Sequence, residues 1–299
     1  EGEEEIGSAH LGDFLETYQE MLAADVIVIL DAGNWAVGVP TLTTSLRGLV
    51  DCTVEVRTLK YAVHSGMFGG AIPDAVTTLA RLLATLHDAN GEVAVSGLLA
   101  GDDTMLDLTE DELRTQAEPV GGLELLGSGS ITSRLWTKPA ISVVAIDAPP
   151  LREAINQLVP AVRAKVSLRI APGDDPQRAM AALTAHLESN VEWGAEVTVT
   201  PGASGEAFAL DTSGIAGDAF RAAFAAAWEE DTVEMGVGGS IPFVADFADR
   251  YPKAAILLTG VADPTSRAHG PNESQDLNEF RNGVLAEAIA LRLLAKAST

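Results

Sequence analysis

Residues 25–33, DVIVILDAG, decide the fold. Six residues from Asp25 to Leu30 make an apolar, β-branched run of strand length, and the run stops at Asp31 and Gly33. That pattern predicts a strand buried on both faces of a parallel sheet, because a strand with only one buried face would alternate polar and apolar residues. AAILLTG at 254–260 reads the same way. Upstream, SAHLGDFLETYQEML at 8–22 spaces Leu11, Phe14, Leu15, Tyr18, Met21 and Leu22 for one amphipathic helix. Downstream, a polar loop over 261–280 leads into a closing helix, NGVLAEAIALRLLAKA at 282–297. These pieces are the layers of an α/β unit.

The middle of the chain has another rhythm. CTVEVRTLK (52–60), PAISVVAID (139–147), AKVSLRIAP (164–172) and AEVTVT (195–200) read as strands. PDAVTTLARLLATLHD (73–88) and the stretch opened by Asp175 and Pro176, running to about Ser189, read as helices. The order strand, helix, strand, strand, helix, strand is the ferredoxin-like split βαβ pattern, with helices on one sheet face only. Residues 90–135 interrupt it with a Gly-, Asp- and Thr-rich insertion whose structure the pattern leaves open. The predicted organisation is an α/β domain made of 1–44 and 209–299, with an α+β domain of 45–208 inserted into it.

Of the 299 residues 47 % are apolar and 21 % charged, which suits a folded protein rather than a disordered one. Acidic residues outnumber basic ones 43 to 19, a formal charge of −24 that opposes binding to nucleic acid or to an anionic membrane surface. No apolar run reaches the ~18 residues of a membrane span. A single cysteine, Cys52, forms no internal disulfide and no thiolate metal cage, so packing is its expected role and a cytoplasmic location is expected for the chain.

Several residues are of types that carry chemistry. Glu3, Glu4 and Glu5 stand before the first helix, where carboxylates complement the helix dipole; adjacent carboxylates also divide labour in hydrolytic sites, one holding a metal and its neighbour moving a proton. Both readings stand on sequence alone. Asp31 ends a parallel-type strand, at the sheet edge where open α/β folds place their ligands, and His269, in the loop after the second such strand, is aimed at the same crevice. Asp, Glu and His are the ligand set of a hydrolytic zinc site. His64 lies in a small-residue loop, KYAVHSGMFGG, suited to binding. Arg169 alternates with Leu168 and Ile170, so it faces the uncovered side of the inserted sheet, where a guanidinium either stays solvated or clamps a carboxylate. GVGGSIPF (236–243), with Gly239 and Ser240, offers donors to an anion.

Taken together, EGEEEIGS, LDAGNWAVGVPTLTTSLRG, HSGMFGG, SLRIAPGDDP, GGSIPF and AHGPNES resemble, in order and spacing, the co-catalytic zinc metallopeptidase family of carnosinase-type dipeptidases, aminoacylases and glutamate carboxypeptidase. HSGMFGG, GGSIPF and the insertion are most similar to the dipeptidase branch. The resemblance implies an α/β zinc-peptidase catalytic domain with an inserted ferredoxin-like lid that also dimerises. It implies Glu4 as general base on metal-bound water, Glu5 and His269 on one zinc, and Asp31 on the other. His64 would reach from the lid of one subunit into its partner's site, and Asn156 would serve the same oxyanion. Arg169, Gly239 and Ser240 would hold the substrate's C-terminal carboxylate.

The family's His-x-Asp motif and the aspartate bridging both metals precede the Glu-Glu pair. The chain starts at Glu1 without them, so the catalytic domain is expected to be incomplete at its N-terminal side and the 299-residue chain metal-poor. The implied function is a dipeptidase acting on small peptides with a free C-terminal carboxylate, as a homodimer carrying two zinc ions per site, with manganese or cobalt able to use the same ligands. An N-acyl amino acid deacylase and a non-catalytic dimerising module are the alternatives.

Overall fold

A computed structural model of the chain describes residues 8, 10–102, 104 and 106–297. In chain order its helices are α1 (Leu11–Thr17), α2 (Gln19–Leu22), α3 (Ser65–Phe68), α4 (Ala75–Ala84), α5 (Glu110–Ala117), α6 (Ile131–Trp136), α7 (Pro176–Asn190), α8 (Gly214–Trp228), α9 (Pro242–Arg250) and α10 (Leu277–Ala297). The strands are β1 (Val26–Leu30), β2 (Thr41–Leu46), β3 (Gly48–Arg57), β4 (Val63–His64), β5 (Ala140–Asp147), β6 (Gln157–Leu158), β7 (Ala161–Ile170), β8 (Glu196–Gly205), β9 (Phe208–Ala209), β10 (Val233–Val237) and β11 (Ala255–Thr259).

The first sheet has the order β1-β11-β2-β10, with β9 on β2. The two apolar runs, each read as a parallel-sheet strand, are neighbours: β1 and β11 pair in parallel from Val26↔Ala255 to Leu30↔Thr259. Burial differs from the expectation for β1. Only Ile29 is buried and Leu30 is exposed, because β1 is an edge strand among the described residues, whereas Ile256, Leu257 and Leu258 of β11 are buried inside the sheet. Helices α8 and α10 cover one face, packing Phe220, Phe224, Trp228, Ala286 and Ala290 on Leu42 and Leu257. Val244 of α9 covers the other, on Leu46, Ile256 and Leu258. The helix predicted over 8–22 is two helices, broken at Tyr18, whose backbone (φ −112°, ψ 20°) lies outside the helical basin.

The second sheet has the order β5-β7-β3-β8, antiparallel throughout, and is ferredoxin-like. Its core joins Val50, Cys52, Val54 and Val56 of β3 and Val162, Val166, Leu168 and Ile170 of β7 to Leu79 and Leu82 of α4 and Leu183 and Leu187 of α7. Cys52 lies inside this core, where burial, with the Asp51 carboxylate adding, pushes its thiol up to about 11 and leaves it without nucleophilic character. The helices begin where the sequence provides caps: Asp74 and Asp175 accept the backbone N–H groups of Thr77 and Arg178.

The chain passes from the first sheet to the second within two residues, from Leu46 to Gly48. A Cβ on Gly48 would lie 2.7 Å from Ala207 N, Gly205 O and Ile170 Cγ1, so only glycine lets the outgoing and returning strands cross this closely. The 90–135 insertion carries α5, started by a reciprocal Thr109–Glu112 capping box, and leads into α6. It folds back onto the first sheet: Trp136 meets Trp35 edge-on at 6.0 Å, and a Cβ on Gly236 of β10 would lie 2.8 Å from Trp136 Cβ. No helix among the described residues is long and apolar enough to cross a membrane.

Candidate active site

Three groups of predicted residues have a place in the structure; Glu4 and Glu5, read as base and metal ligand, lie outside the described residues. The first group sits where β1 and β11 end side by side. Their ladder continues beyond the strands, as Ala32 N donates to Thr259 O (3.0 Å) and Asn34 N to Ala262 O (2.7 Å). A Cβ on Gly260 would fall 1.6 Å from Ala32 O, so glycine is required for this contact. Asp31 directly follows β1 and His269 lies in the loop that begins at the same end of β11, both exposed to solvent.

The loops behind them are fixed by buried polar groups. Glu279 of α10, 1 % exposed, accepts from Asn34 Nδ2 (2.7 Å), Gly38 N (2.9 Å) and Trp228 Nε1 (3.1 Å), while Asn34 Oδ1 accepts from Thr41 N (3.0 Å). Three donors converge on one carboxylate, and they fix the path of the loop just after Asp31. On the other side, Asp263 accepts from Thr265 N (2.7 Å) and Thr265 Oγ1 (2.6 Å), and folds the start of the loop that carries His269 in a left-handed conformation (φ 60°). Arg267 of that loop pairs with Glu118 at the end of α5 (2.9 Å), bringing the insertion to the same end of the sheet. A carboxylate and an imidazole are of the donor type that holds divalent zinc. Among the described residues no group of three His, Cys, Asp or Glu side chains stands ready for a metal ion.

The second group joins the two sheets. Arg169 of β7 donates through Nη1 to Ser240 Oγ (3.0 Å), in the loop that carries Gly239 and follows β10. Leu168 and Ile170 on either side of it are fully buried, so the alternation turns Arg169 to the opposite face, as the pattern predicts. Sequence reasoning missed its neighbour. Arg47, 8 % exposed, donates through Nε to Gly238 O (3.0 Å) and through Nη1 to Arg134 O (3.3 Å) and Lys138 O (3.4 Å). Burial, with the Arg169 charge adding, pushes its guanidinium down to about 10. Among the described residues neither guanidinium is paired with a carboxylate. The only signal for Arg47 in the sequence is a charge inside the apolar stretch SLRGLV, at the point where the chain changes sheets.

The third group is a two-stranded ladder, β4 with β6, pairing His64 with Gln157. Ser65 N donates to Asn156 O (3.1 Å), which places Asn156 beside His64 on the exposed surface. Gly66 N donates to His64 Nδ1 (3.1 Å). With Nδ1 an acceptor, the neutral imidazole carries its proton on Nε2, the tautomer that donates outward.

Residues 44–195 match the peptidase dimerisation domain of M20 enzymes, half of the chain. The chain belongs to the M20 peptidase family. A cysteinylglycine-S-conjugate dipeptidase of Corynebacterium striatum is 34 % identical over 293 residues, covering 96 % of this chain and 64 % of the relative. A Beta-Ala-His dipeptidase of Rattus norvegicus is 30 % identical over 205 residues, covering 63 % of this chain and 41 % of the relative. Among solved structures, a di-peptidase from Saccharomyces cerevisiae superposes with a TM-score of 0.82 at 22 % identity, over 99 % of this chain and 65 % of that one, which shows the fold alone. This M20 chain thus spans just under two thirds of the length of the first of these relatives.

Proposed function

We propose that the full-length protein is a metal-dependent dipeptidase that hydrolyses small peptides with a free C-terminal carboxylate. The observation that carries this reading is the contact between the sheets, where Arg169 and Ser240 meet with the charge of Arg47 behind them and neither guanidinium is paired with a carboxylate among the described residues. A C-terminal carboxylate matches a guanidinium in charge and bidentate geometry. The two curated relatives named above, a Cys-Gly-conjugate and a Beta-Ala-His dipeptidase, bear names of the same reaction class. The N-acyl amino acid deacylase reading uses the same carboxylate contact; the names of those relatives favour the dipeptidase.

In this reading 1–44 with 209–299 is the catalytic unit and 45–208 the lid. Glu5 and His269 hold one zinc ion and Asp31 helps to hold the second, with manganese or cobalt accepted by the same donors. Such a pair of metals supplies Lewis acidity and lowers the pKa of water to near neutrality. Glu4 takes the proton of the attacking water and returns it to the leaving amine. Arg169, with Gly239 and Ser240, fixes the carboxylate end of the substrate. His64, through Nε2–H, and Asn156 donate to the carbonyl oxygen of a neighbouring subunit's substrate. A homodimer follows, and apolar side chains on the exposed lid surface support it: Met67 beside His64, Leu151 and Ile155 beside Asn156, and Val144 and Ile146 on β5. A cytoplasmic protein without nucleic acid or membrane partners fits the charge of −24.

The test is cysteinylglycine hydrolysis by the full-length, metal-loaded protein and its Glu4→Gln, Asp31→Asn and His269→Ala variants. Glu4→Gln should lower kcat by about 10²-fold or more with metal content unchanged, while the other two lose bound metal. Full turnover in Glu4→Gln, or unchanged metal in the other two, refutes the assignment.

A further inference from the structure

Arg47 has no place in the reading above beyond its charge, yet it occupies the point where every part of the second group meets. It lies between the last residue of β2 and the first of β3, and its backbone N donates to Val237 O (3.2 Å), at the end of β10. Its side chain reaches three segments. Nε holds the carbonyl of Gly238, two residues before Ser240, and Nη1 holds the carbonyls of Arg134 and Lys138, which leave the insertion for β5. Gly238 is bare for this purpose, since a Cβ there would lie 2.8 Å from Arg47 Nη2 and 2.7 Å from Leu135 O. All its acceptors among the described residues are neutral carbonyls, so none of these contacts compensates the charge of Arg47 beside Arg169.

We propose that Arg47 is the positioning residue of the carboxylate clamp: its buried guanidinium pins the 238–240 loop so that Ser240 meets Arg169, and its charge makes that meeting point selective for an anion. The proposal rests on the reading of Arg169 and Ser240 as the carboxylate site. A loop that loses the Gly238 anchor carries Ser240 away from Arg169, and a site that loses the second charge discriminates less between a carboxylate and its neutral amide. Both effects fall on binding of the carboxylate end. An occupied site also relieves the repulsion between the two guanidiniums, so the clamp favours the bound anion over the empty state.

The experiment is calorimetric titration of the full-length protein with a reduced-amide Ala-Gly analogue, as free acid and as C-terminal amide. It needs no turnover. Arg47→Met should weaken the free acid by about tenfold or more, the loss of a charge-assisted contact, and change the amide by less than about twofold. Arg47→Lys keeps the charge without the fork and should recover part of the acid-over-amide preference, which a purely structural role would not predict. Gly238→Ala displaces the same carbonyl while leaving both charges in place, and should also weaken the acid selectively; it stands in if Arg47→Met does not fold. Equal weakening of acid and amide in Arg47→Met, or an intact preference in both Arg47→Met and Gly238→Ala while Arg169→Met loses it, overturns the role of Arg47 alone. An intact preference in Arg169→Met overturns the clamp, and the role of Arg47 falls with it.

Discussion

Replacing Glu279 by glutamine changes one atom of a fully buried side chain, and the surroundings decide how much that costs. Oε2 accepts from Asn34 Nδ2, Oε1 accepts from Gly38 N, and Trp228 Nε1 lies 3.1–3.2 Å from both oxygens. Among the described residues, every hydrogen-bond partner of the carboxylate is a donor. A glutamine amide N–H₂ therefore faces either the Asn34 amide or the Gly38 N–H, and finds no acceptor in either orientation. Asn34 cannot turn over to help, because its Oδ1 is taken by Thr41 N. One donor is stranded along with the new amide, at ~1–3 kcal/mol for each buried unsatisfied group, and the remaining bonds lose their charge assistance. Neutralising a buried charge that has no cationic partner among the described residues returns part of that loss. The net expectation is destabilisation by about 2–4 kcal/mol, a large share of the ~5–15 kcal/mol that holds most domains folded. Urea unfolding followed by tryptophan fluorescence and far-UV circular dichroism measures it, and amide exchange at Gly38 and Thr41 should accelerate. A Glu279→Gln variant within about 0.5 kcal/mol of the parent would refute the argument that this carboxylate organises the loop after Asp31.

Two more outcomes follow from the same structure. Mixing inactive full-length His64→Ala with inactive Glu4→Ala subunits should restore about a quarter of the parental activity, since half the dimers of a random mixture are mixed and each contains one intact site; no recovery would rule out a site shared between subunits. His186, half-buried with Nε2 3.0 Å from Thr85 Oγ1, has its imidazole held below the ordinary value by burial. The unfolded chain then binds its proton first, so this contribution to stability is present above about pH 6.5 and is lost as pH falls through the folded-state value. His186→Gln should flatten that part of the stability profile, and an unchanged profile would contradict the assignment.

How much was legible in the sequence depended on whether a signal was local. The β1–β11 pair was readable because both strands are unbroken apolar runs, and the lid because its strands alternate and its helices carry Asp caps. β2 and β10 were invisible: TLTTSL hides Leu42 and Leu46 beside Thr41 and Thr43, which are themselves buried, and VEMGV contains a charge and a glycine, with a register shift between Met235 and Gly236. Ladder partners identify such strands, and composition does not. Arg169 and Ser240 were found separately, from strand alternation and a Gly-rich loop. Their contact joins residues 71 apart, and only the fold shows it. Arg47, Asn34 and Glu279 were missed for the same reason, since the meaning of a buried polar residue lies in partners as far as 245 positions away. His186 stands among polar residues in sequence yet is half-buried, with its Nε2 against Thr85 at the end of α4, a partner 101 positions away.

The central claim is that the meeting point of the two sheets recognises a substrate's terminal carboxylate. The direct measurement is kcat/KM of the full-length, metal-loaded protein for cysteinylglycine and for cysteinylglycine amide, in the parent and in Arg169→Met. The account predicts that the parent prefers the free acid by about 10²-fold and that Arg169→Met abolishes most of that preference by acting on the acid alone. Equal rates for acid and amide in the parent, or a preference that survives Arg169→Met, would contradict it.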